Sequence, residues 1–278
     1  MRACVVVPAY EAEKTVGDVV RGLRRALAPW GDSIPRPPGP SGDGEGNPIL
    51  VVDDGSGDGT AAVARAAGAR VVSHRENRGK GVALRTGMAL ALSAGFDVVV
   101  TVDADGQHPA SEAAKLLASD PDPDALVLGV RDLRAAGAPR ANQLSNRFSN
   151  FVLSLFCGRP IADTQCGLRR YPIAATLDLG AKGEGYDFEA EILLLAVAAG
   201  FRIVEVPIHV LYPPVGERVT HFHSVRDPAR IVARVVATTL ATRFGSRTPR
   251  SPIRRGSQGR TSRGSVEGGG APSWPPPP

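Results

Sequence analysis

Short apolar segments alternate with longer amphipathic ones along the first half of the chain. The short segments are rich in β-branched residues, as buried strands are. They lie at residues 3–7, 49–52, 70–73 and 97–102. The longer segments carry apolar residues at helical spacing and lie at residues 15–27, 61–67 and 81–94. This alternation predicts an α/β fold built on a doubly wound, mostly parallel sheet.

The second half is less regular. Its predicted strands are residues 126–130 and 202–207, and its predicted helices are 142–156, 188–199 and 226–244. Helix 142–156 is amphipathic, with an apolar side formed by Leu144, Phe148, Phe151, Val152, Leu155 and Phe156. The last helix is basic on one side and apolar on the other. Arg230, Arg234 and Arg243 lie opposite Ile231, Val232, Val235, Val236 and Leu240.

Two segments rich in proline and glycine fit neither pattern. Residues 31–48 are expected to form an exposed insertion, and residues 245–278 a disordered tail. The formal net charge of +5 belongs to this tail, where six arginines and one glutamate follow residue 244. Residues 1–244 are therefore neutral overall, and no nucleic-acid partner is expected.

Cysteine usage and hydropathy indicate the compartment. The three cysteines form no disulfide or zinc pattern, which favours a reducing cytosol. No apolar run approaches the roughly 18 residues of a membrane span, and a strand rather than a signal peptide opens the chain. We therefore expect a cytoplasmic protein.

The candidate chemistry begins where strand 97–102 ends. Asp103 and Asp105 follow this buried strand directly, and Gln107 and His108 come next. Two desolvated carboxylates repel one another, whereas a divalent cation prefers such oxygen ligands. The same Asp-x-Asp spacing recurs at 120–124 in a proline-rich loop, so the spacing alone has little meaning. The strand before Asp103 is what predicts a metal site.

Further loops after strands should converge on the same edge of the sheet. Residues 8–11 and 53–60 supply carboxylates, an aromatic ring and glycines suited to a nucleotide. The alternative for 53–60 is a turn that caps the next helix through Asp58 or Thr60. Residues 77–81 place glycines and Lys80 at a helix start, where phosphate can bind. Neither a G-x-G-x-x-G motif nor a complete Walker A loop is present.

Seven motifs in this order resemble those of family 2 glycosyltransferases with the GT-A fold. The closer resemblance is to polyprenyl-phosphate hexosyltransferases of the dolichyl-phosphate mannose and glucose synthase kind. The resemblance spans residues 3–228. The motifs are 8–11 (PAYE), 52–60 (VDDGSGDGT), 77–81 (NRGKG), 103–107 (DADGQ), 163–169 (DTQCGLR), 185–191 (GYDFEAE) and 222–227 (FHSVRD).

The resemblance implies a single GT-A domain at residues 1–228. Residues 1–130 would form the nucleotide-sugar half, including the 31–48 insertion, and residues 131–228 the acceptor half. The basic helix at 229–244 and the tail at 245–278 would follow. Peripheral association with the cytosolic face of a membrane is expected through this helix and tail. The alternative is that the helix packs on the core with a solvated outer face.

The implied reaction is metal-dependent, inverting transfer of a hexose from GDP-mannose or UDP-glucose to polyprenyl phosphate. Mg²⁺ or Mn²⁺ would be held by Asp103, Asp105 and Gln107. The residues implied in nucleotide-sugar binding are Pro8, Tyr10, Glu11, Asp54, Lys80, Asp103 and Ala104. The acceptor phosphate would meet Arg131, Arg140, Ser145 and Arg169, since guanidinium groups match phosphate. The residues expected to be catalytic are Asp105, Arg131, Arg140, Arg169 and Glu191.

Two other functions remain open. A family 2 glycosyltransferase acting on a saccharide hydroxyl would need a base, for which Asp187, Glu189 or Glu191 is available. A non-catalytic, membrane-associated nucleotide-binding protein is the alternative from another class.

Overall fold

The computed structural model describes residues 1–29, 48–212 and 226–244, with side chains at 230–242 in the last of these segments. Within these residues the chain forms seven strands and eight helices. The strands are β1 (Ala3–Ala9), β2 (Ile49–Asp53), β3 (Arg70–Ser73), β4 (Val98–Thr101), β5 (Leu126–Arg131), β6 (Arg169–Pro172) and β7 (Ile203–Ile208). The helices are α1 (Val16–Leu27), α2 (Thr60–Ala66), α3 (Lys80–Ser93), α4 (Ala110–Ala118), α5 (Arg140–Cys157), α6 (Ile173–Asp178), α7 (Asp187–Ala198) and α8 (Arg226–Phe244).

The seven strands form one sheet in the order β3-β2-β1-β4-β6-β5-β7. All run in the same direction except β6, which is antiparallel to both β4 and β5. Every residue of β1, β2 and β4 is buried, as expected for strands covered on both faces. The predicted α/β fold with a mostly parallel sheet is therefore confirmed.

The path of the chain creates a crevice at the carboxyl end of the sheet. From β1 the chain proceeds outward to β2 and β3, and then returns to place β4 on the other side of β1. The carboxyl ends of β1, β2 and β4 therefore share one edge. Loops that leave adjacent strands in opposite directions open a ligand-binding crevice between them.

The structure adds three elements that the hydrophobic pattern does not predict, namely β6, α4 and α6. β6 is the most informative of these, because Arg169 and Arg170 lie in a four-residue strand and are fully buried. Their guanidinium groups donate to backbone carbonyls, so their charge is solvated by the protein itself.

A small second core joins the three helices α5, α7 and α8. Leu153 of α5, Ala190 and Leu194 of α7, and Val235 of α8 form it. The arrangement of α8 differs from the predicted one, because Arg234 turns inward and its Nε lies 3.1 Å from Asp187 Oδ2. Three apolar side chains of α8 are exposed instead, namely Val232, Val236 and Leu240.

Some predictions concern residues that the structure does not describe. The tail at 245–278 and nearly all of the 31–48 insertion lie outside the described ranges. The division into a nucleotide half and an acceptor half stays a prediction. Within the described part of the chain, no helix has both the length and the apolar character needed to cross a bilayer.

Candidate active site

The loops after β1 and β2 are joined by hydrogen bonds at the carboxyl edge of the sheet. The amide of Glu11 donates to Ser56 Oγ (2.9 Å), and the amide of Gly57 donates to Glu11 Oε1 (2.7 Å). Glu11 has a left-handed backbone, with φ of 48°. Such strain in a residue other than glycine persists only where surrounding contacts hold it. The Glu11 carboxylate therefore shapes the crevice wall.

The capping alternative for residues 53–60 is seen in part. Gly59 occupies the N-cap position of α2, but Asp58 Oδ1 accepts a hydrogen bond from the amide of Thr60 (2.9 Å), the first residue of the helix. Thr60 Oγ1 also accepts from the amide of Ala12 (2.8 Å), and Asp58 Oδ2 accepts from the amide of Glu13 (3.2 Å). The acidic second loop thus holds the first one in place.

Asp54 anchors the segment that leads into α3. Its Oδ1 contacts His74 Nδ1 (2.6 Å) and accepts from the amide of Arg78 (3.1 Å), while its Oδ2 accepts from the amide of Gly79 (2.7 Å). The side chain is buried, with three partners from the protein. Asp54 thus has a structural role, and its contact with the nucleotide sugar stays a prediction.

The glycines at the start of α3 permit close packing against the start of α7. The amide of Gly81 donates to the carbonyl of Glu184 (2.7 Å), and a Cβ on Gly81 would lie 2.7 Å from Phe188 Cβ. Gly79, with φ of +94°, would place a Cβ against the same carbonyl. The amides of Gly81 and Val82 thus donate to a protein carbonyl, and phosphate binding at the start of α3 stays a prediction.

Lys80 connects the acids at the centre of the crevice. Its Nζ lies 2.7 Å from Asp103 Oδ1 and 3.2 Å from Glu189 Oε2, and 5.5 Å from the centre of the Tyr186 ring. Burial opposes the charge of Lys80, but the two carboxylates outweigh burial and raise its pKa. The ammonium group is therefore a permanent counterion within this site.

Asp103 and Asp105 have opposite pKa shifts. Burial acts to raise the pKa of Asp103, but the positive charges of Lys80 and Arg131 and the proximity of His108 outweigh it and lower this pKa. Burial, followed by the charge of Asp103, raises the pKa of Asp105 to about 6. Asp103 is thus held ionised, and the charge of Asp105 is the disfavoured one.

A divalent cation fits this pair of carboxylates. Within the described residues no three His, Cys, Asp or Glu side chains form a ligand group. Mg²⁺ is commonly held by one or two carboxylates together with substrate phosphates and water. A cation would also relieve the repulsion between Asp103 and Asp105. The amide of Gln107 donates to Asp105 Oδ1 (3.0 Å) and orients that carboxylate.

Gly167 is the glycine that the site depends on most directly. A Cβ at this position would collide with Asp103 Oδ2 and would lie 2.9 Å from both Asp103 Cγ and Lys80 Nζ. Its own carbonyl accepts a hydrogen bond from Thr101 Oγ1 (2.7 Å) at the end of β4. The 163–169 motif therefore forms the wall behind the Lys80–Asp103 pair.

The structure adds two residues to which the sequence assigns no definite role. His108 is buried, its Nδ1 has no hydrogen-bond partner, and burial lowers its pKa to about 4, so the ring is neutral. Glu189 pairs with Lys80 while its Oε1 has no partner. Glu189 was one of three acids in its motif, and only the packing of α7 reveals which of them faces Asp103.

Arg131 lies beside the two carboxylates but is already paired. Its Nε and Nη2 lie 2.7 and 3.0 Å from Asp163 Oδ2 and Oδ1. Asp163 also accepts from Asn146 Nδ2 of α5 (2.9 Å) and from the amide of Gln165 (3.1 Å). The network ties the end of β5 and the start of α5 to the catalytic edge.

Two expected catalytic residues have structural partners instead. Arg169 is 0% exposed, and its guanidinium donates to the carbonyls of Cys166, Glu189 and Thr164. Glu191 is buried, and its Oε2 accepts from the amides of Lys182 (2.9 Å) and Gly183 (2.6 Å). Both side chains thus have a structural role, and a phosphate clamp at Arg169 and a catalytic acid at Glu191 stay predictions.

The remaining predicted residues lie around this centre. Arg140 and Ser145 are exposed in the first turns of α5, and Ala104 is buried between the two carboxylates in sequence. Pro8 belongs to β1 and Tyr10 follows it, on the crevice edge. Their contacts with substrates stay predictions.

Comparison with known proteins agrees with this geometry. Residues 4–174 match the model of the glycosyl transferase family 2. The chain belongs to this family. It is therefore a glycosyltransferase, and the predicted family resemblance is confirmed.

Individual relatives support the same assignment. The chain is 31% identical to a dolichyl-phosphate hexose transferase of Haloferax volcanii, over 73% of this chain and 80% of the relative. It is 30% identical to an undecaprenyl-phosphate mannosyltransferase of Micrococcus luteus, over 78% and 86%. The structure resembles glucosyl-3-phosphoglycerate synthase of Mycobacterium tuberculosis in complex with Mn²⁺, UDP and phosphoglyceric acid. That match has a TM-score of 0.62 at 21% identity and covers 87% of this chain and 78% of the other. It confirms the predicted GT-A fold.

The raised pKa of Asp105 has a consequence for stability. The folded state binds this proton more tightly than the unfolded chain, so its benefit is lost as pH rises through the folded pKa of about 6. We expect the free energy of unfolding of the wild type, relative to that of Asp105→Asn, to fall between pH 4 and pH 6 and then to level off. These limits are roughly the pKa values of Asp105 in the unfolded and the folded state. Urea unfolding of both proteins with a chelator measures this difference. A difference independent of pH would contradict the assignment.

Replacement of Gly167 tests the packing behind the ion pair. We expect Gly167→Ala to displace Asp103 and Lys80 and to lower glycosyltransferase activity by about a hundredfold, as misplacement by an ångström can. Gly180→Ala is the control without a clash, because nothing lies within 4 Å of a Cβ at Gly180, although its φ of +65° adds backbone strain that Gly167 does not have. It should lose some stability and keep its activity. Equal activity in the two variants would disprove the packing role.

Proposed function

We propose that the chain transfers a hexose from a nucleotide sugar, GDP-mannose or UDP-glucose, to polyprenyl phosphate with inversion at the anomeric carbon. The observation that carries this proposal is the position of Asp103 and Asp105 between Lys80 and the Arg131–Asp163 pair. This arrangement offers oxygen ligands for a metal-bound diphosphate on one side and a polar network leading to α5 on the other. The names of the two relatives, which refer to dolichyl and undecaprenyl phosphate, support the lipid acceptor.

The residues that would hold Mg²⁺ or Mn²⁺ are Asp103, Asp105 and Gln107. When bound, the cation would neutralise charge that builds on the departing nucleoside diphosphate. Lys80 adds a fixed positive charge beside the same group. The Glu11 carboxylate and the Tyr10 ring border the crevice where we place the nucleoside.

The acceptor phosphate is placed at the start of α5. Arg140 is exposed there, and Pro139 at the N-cap offers no side-chain cap to the first amides of this 18-residue helix. Helix N-termini of this kind favour anions. Asn146, nearly two turns further on, contacts Asp163 and so connects this position with Arg131 and the carboxylates. Ser145 lies in the same stretch.

The transfer itself needs little proton chemistry from the protein. An oxygen of the lipid phosphate forms a bond to the anomeric carbon, while the bond from that carbon to the diphosphate breaks and its electron pair leaves with the diphosphate. Because the phosphate is already an anion, no proton has to be removed from it. The task of the described residues is to hold two anions in line against their repulsion.

Attachment to the cytosolic face of a membrane belongs to the same proposal. α8 exposes Val232, Val236 and Leu240, and Arg230 is exposed near its start. Apolar side chains combined with arginine suit an interface with anionic lipid. The arginine-rich sequence 245–278 would add electrostatic attraction.

A saccharide hydroxyl is the competing acceptor, and Glu189 is the observation in its favour. Among the described residues its buried Oε1 has no hydrogen-bond partner, and its other oxygen contacts Lys80, which leaves a carboxylate oxygen available to a substrate hydroxyl. A phosphate acceptor needs no such base. The two functions can therefore be distinguished by the acceptor that receives the sugar.

Incubation with labelled nucleotide sugar and Mn²⁺ tests the reaction. We expect labelled lipid with polyprenyl phosphate but none with the dephosphorylated polyprenol or with free sugars. Asp105→Ala should lower this activity by more than about a hundredfold, since it removes charge stabilisation at the leaving group. Asp124→Ala, which alters the Asp-x-Asp repeat of the proline-rich loop, is the matched control and should leave activity unchanged. Product formed only on saccharides would sink the proposal.

Arg140 tests the position of the acceptor. We expect Arg140→Gln to raise the KM for polyprenyl phosphate by about tenfold and to leave the KM for the nucleotide sugar unchanged, because one charge-assisted contact is lost. Arg140→Lys keeps the positive charge and should raise this KM less than Arg140→Gln does. Arg134→Gln removes another exposed arginine, from the loop before α5, and should change neither constant. A change confined to the KM for the nucleotide sugar would contradict the proposal that Arg140 binds the acceptor phosphate.

A further inference from the structure

Helix α5 is oriented with its polar side toward the protein. Asn146 Nδ2 donates to Asp163 Oδ1 (2.9 Å), Asn150 Oδ1 accepts from the amide of Thr164 (2.8 Å), and Ser154 Oγ accepts from the amide of Ile161 (2.9 Å). The irregular backbone at 161–164 needs hydrogen-bond partners, and this face of α5 supplies them. The helix thus faces the protein with these polar side chains as well as with Leu153, unlike a usual surface helix, whose apolar side faces the core.

The opposite side of α5 carries large apolar side chains into solvent. Its residues recur at intervals of four, three and four, which places them in one stripe along the helix. Each is between 65% and 68% exposed. The stripe consists of Leu144, Phe148, Phe151 and Leu155. Sequence periodicity predicts such an apolar side, but here the core does not cover it.

The charges beside this stripe have one sign. Arg140 and Arg147 are exposed on α5, and Arg159 is exposed just beyond its end. The helix contains no acidic residue from 140 to 157. The arginines of this surface complement anionic lipid headgroups, and its apolar stripe complements acyl chains.

We propose that the stripe of α5 lies in the interface of an anionic lipid bilayer. A second copy of the chain is the weaker occupant, since four such side chains expose on the order of 500 Å², below the roughly 800 Å² per partner of a standard interface. An interface helix needs no such area, because it inserts only about 5–10 Å.

Contact between α5 and lipid would set the distance between the bilayer and the site of the proposed reaction. The inner side of α5 contacts Asp163 while the outer side meets the lipid, so roughly one helix diameter, ~10 Å, separates the bilayer from the catalytic network. A phosphate on a membrane lipid would thus reach the start of α5 without leaving the interface. This geometry rests on the proposed acceptor, whereas contact between α5 and lipid does not.

Vesicle flotation tests the contact without any substrate. The vesicles contain phosphatidylcholine and phosphatidylglycerol, hold no polyprenyl phosphate, and are mixed with the full chain at raised salt to screen the arginine tail. We expect Phe148→Ser/Phe151→Ser to lower the partition coefficient on the order of tenfold or more, through lost apolar burial. Its Tm should match the wild type, because both side chains are exposed. Leu92→Ser alters an exposed apolar residue of α3 and should leave binding unchanged.

Each outcome decides the question. Vesicle binding by the double variant equal to that of the wild type overturns the proposal. So does sedimentation showing a wild-type dimer that the double variant dissolves, which would assign the stripe to a second copy. Transfer to polyprenyl phosphate in detergent should be unaffected by the double variant. Weak vesicle binding with intact detergent activity supports the lipid contact, while absence of transfer in the wild type would count against the proposed function alone.

Discussion

The ion pair between Lys80 and Asp103 is the contact on which the rest of the site depends. Asp103, Asp105 and Glu189 are brought to one edge of the sheet by β4 and α7, in surroundings poor in water. Unpaired, they would repel one another, and burial would favour their neutral forms. The ammonium group keeps Asp103 ionised and leaves Asp105 as the carboxyl whose charge is disfavoured. That imbalance is the electrostatic condition under which a divalent cation is attracted.

The support for Lys80 explains several features that look unrelated in sequence. Asp54 holds the segment before α3 from one side, and the carbonyl of Glu184 holds its first amides from the other. Gly79 and Gly81 allow the backbones to approach this closely. Residues expected to bind ligand thus position the one that neutralises the acids. Such supporting contacts are as necessary to a site as the groups that touch substrate.

Sequence reasoning recovers the parallel sheet and the carboxylates for a shared reason. Buried strands are continuous apolar runs, and acids directly after such a run are conspicuous. It misses β6 because Arg169 and Arg170 belong to a buried strand only when carbonyl groups from other segments surround them. The partners of Arg169 and Glu191 within the protein are hidden in the same way, since residue type reveals a charge but not its partner. For α5, periodicity reveals an apolar side without revealing which side the core takes.

The close packing between α3 and α7 has a consequence for motion. The amide of Gly81 and the carbonyl of Glu184 join the start of α3, which carries Lys80, to the segment before α7, which carries Glu189. A rotation of α3 away from α7 would have to break this bond and separate Gly81 from Phe188. We therefore expect the starts of these two helices to move together. Motion that admits substrate would then be expected in the loops at the strand ends and not between α3 and α7.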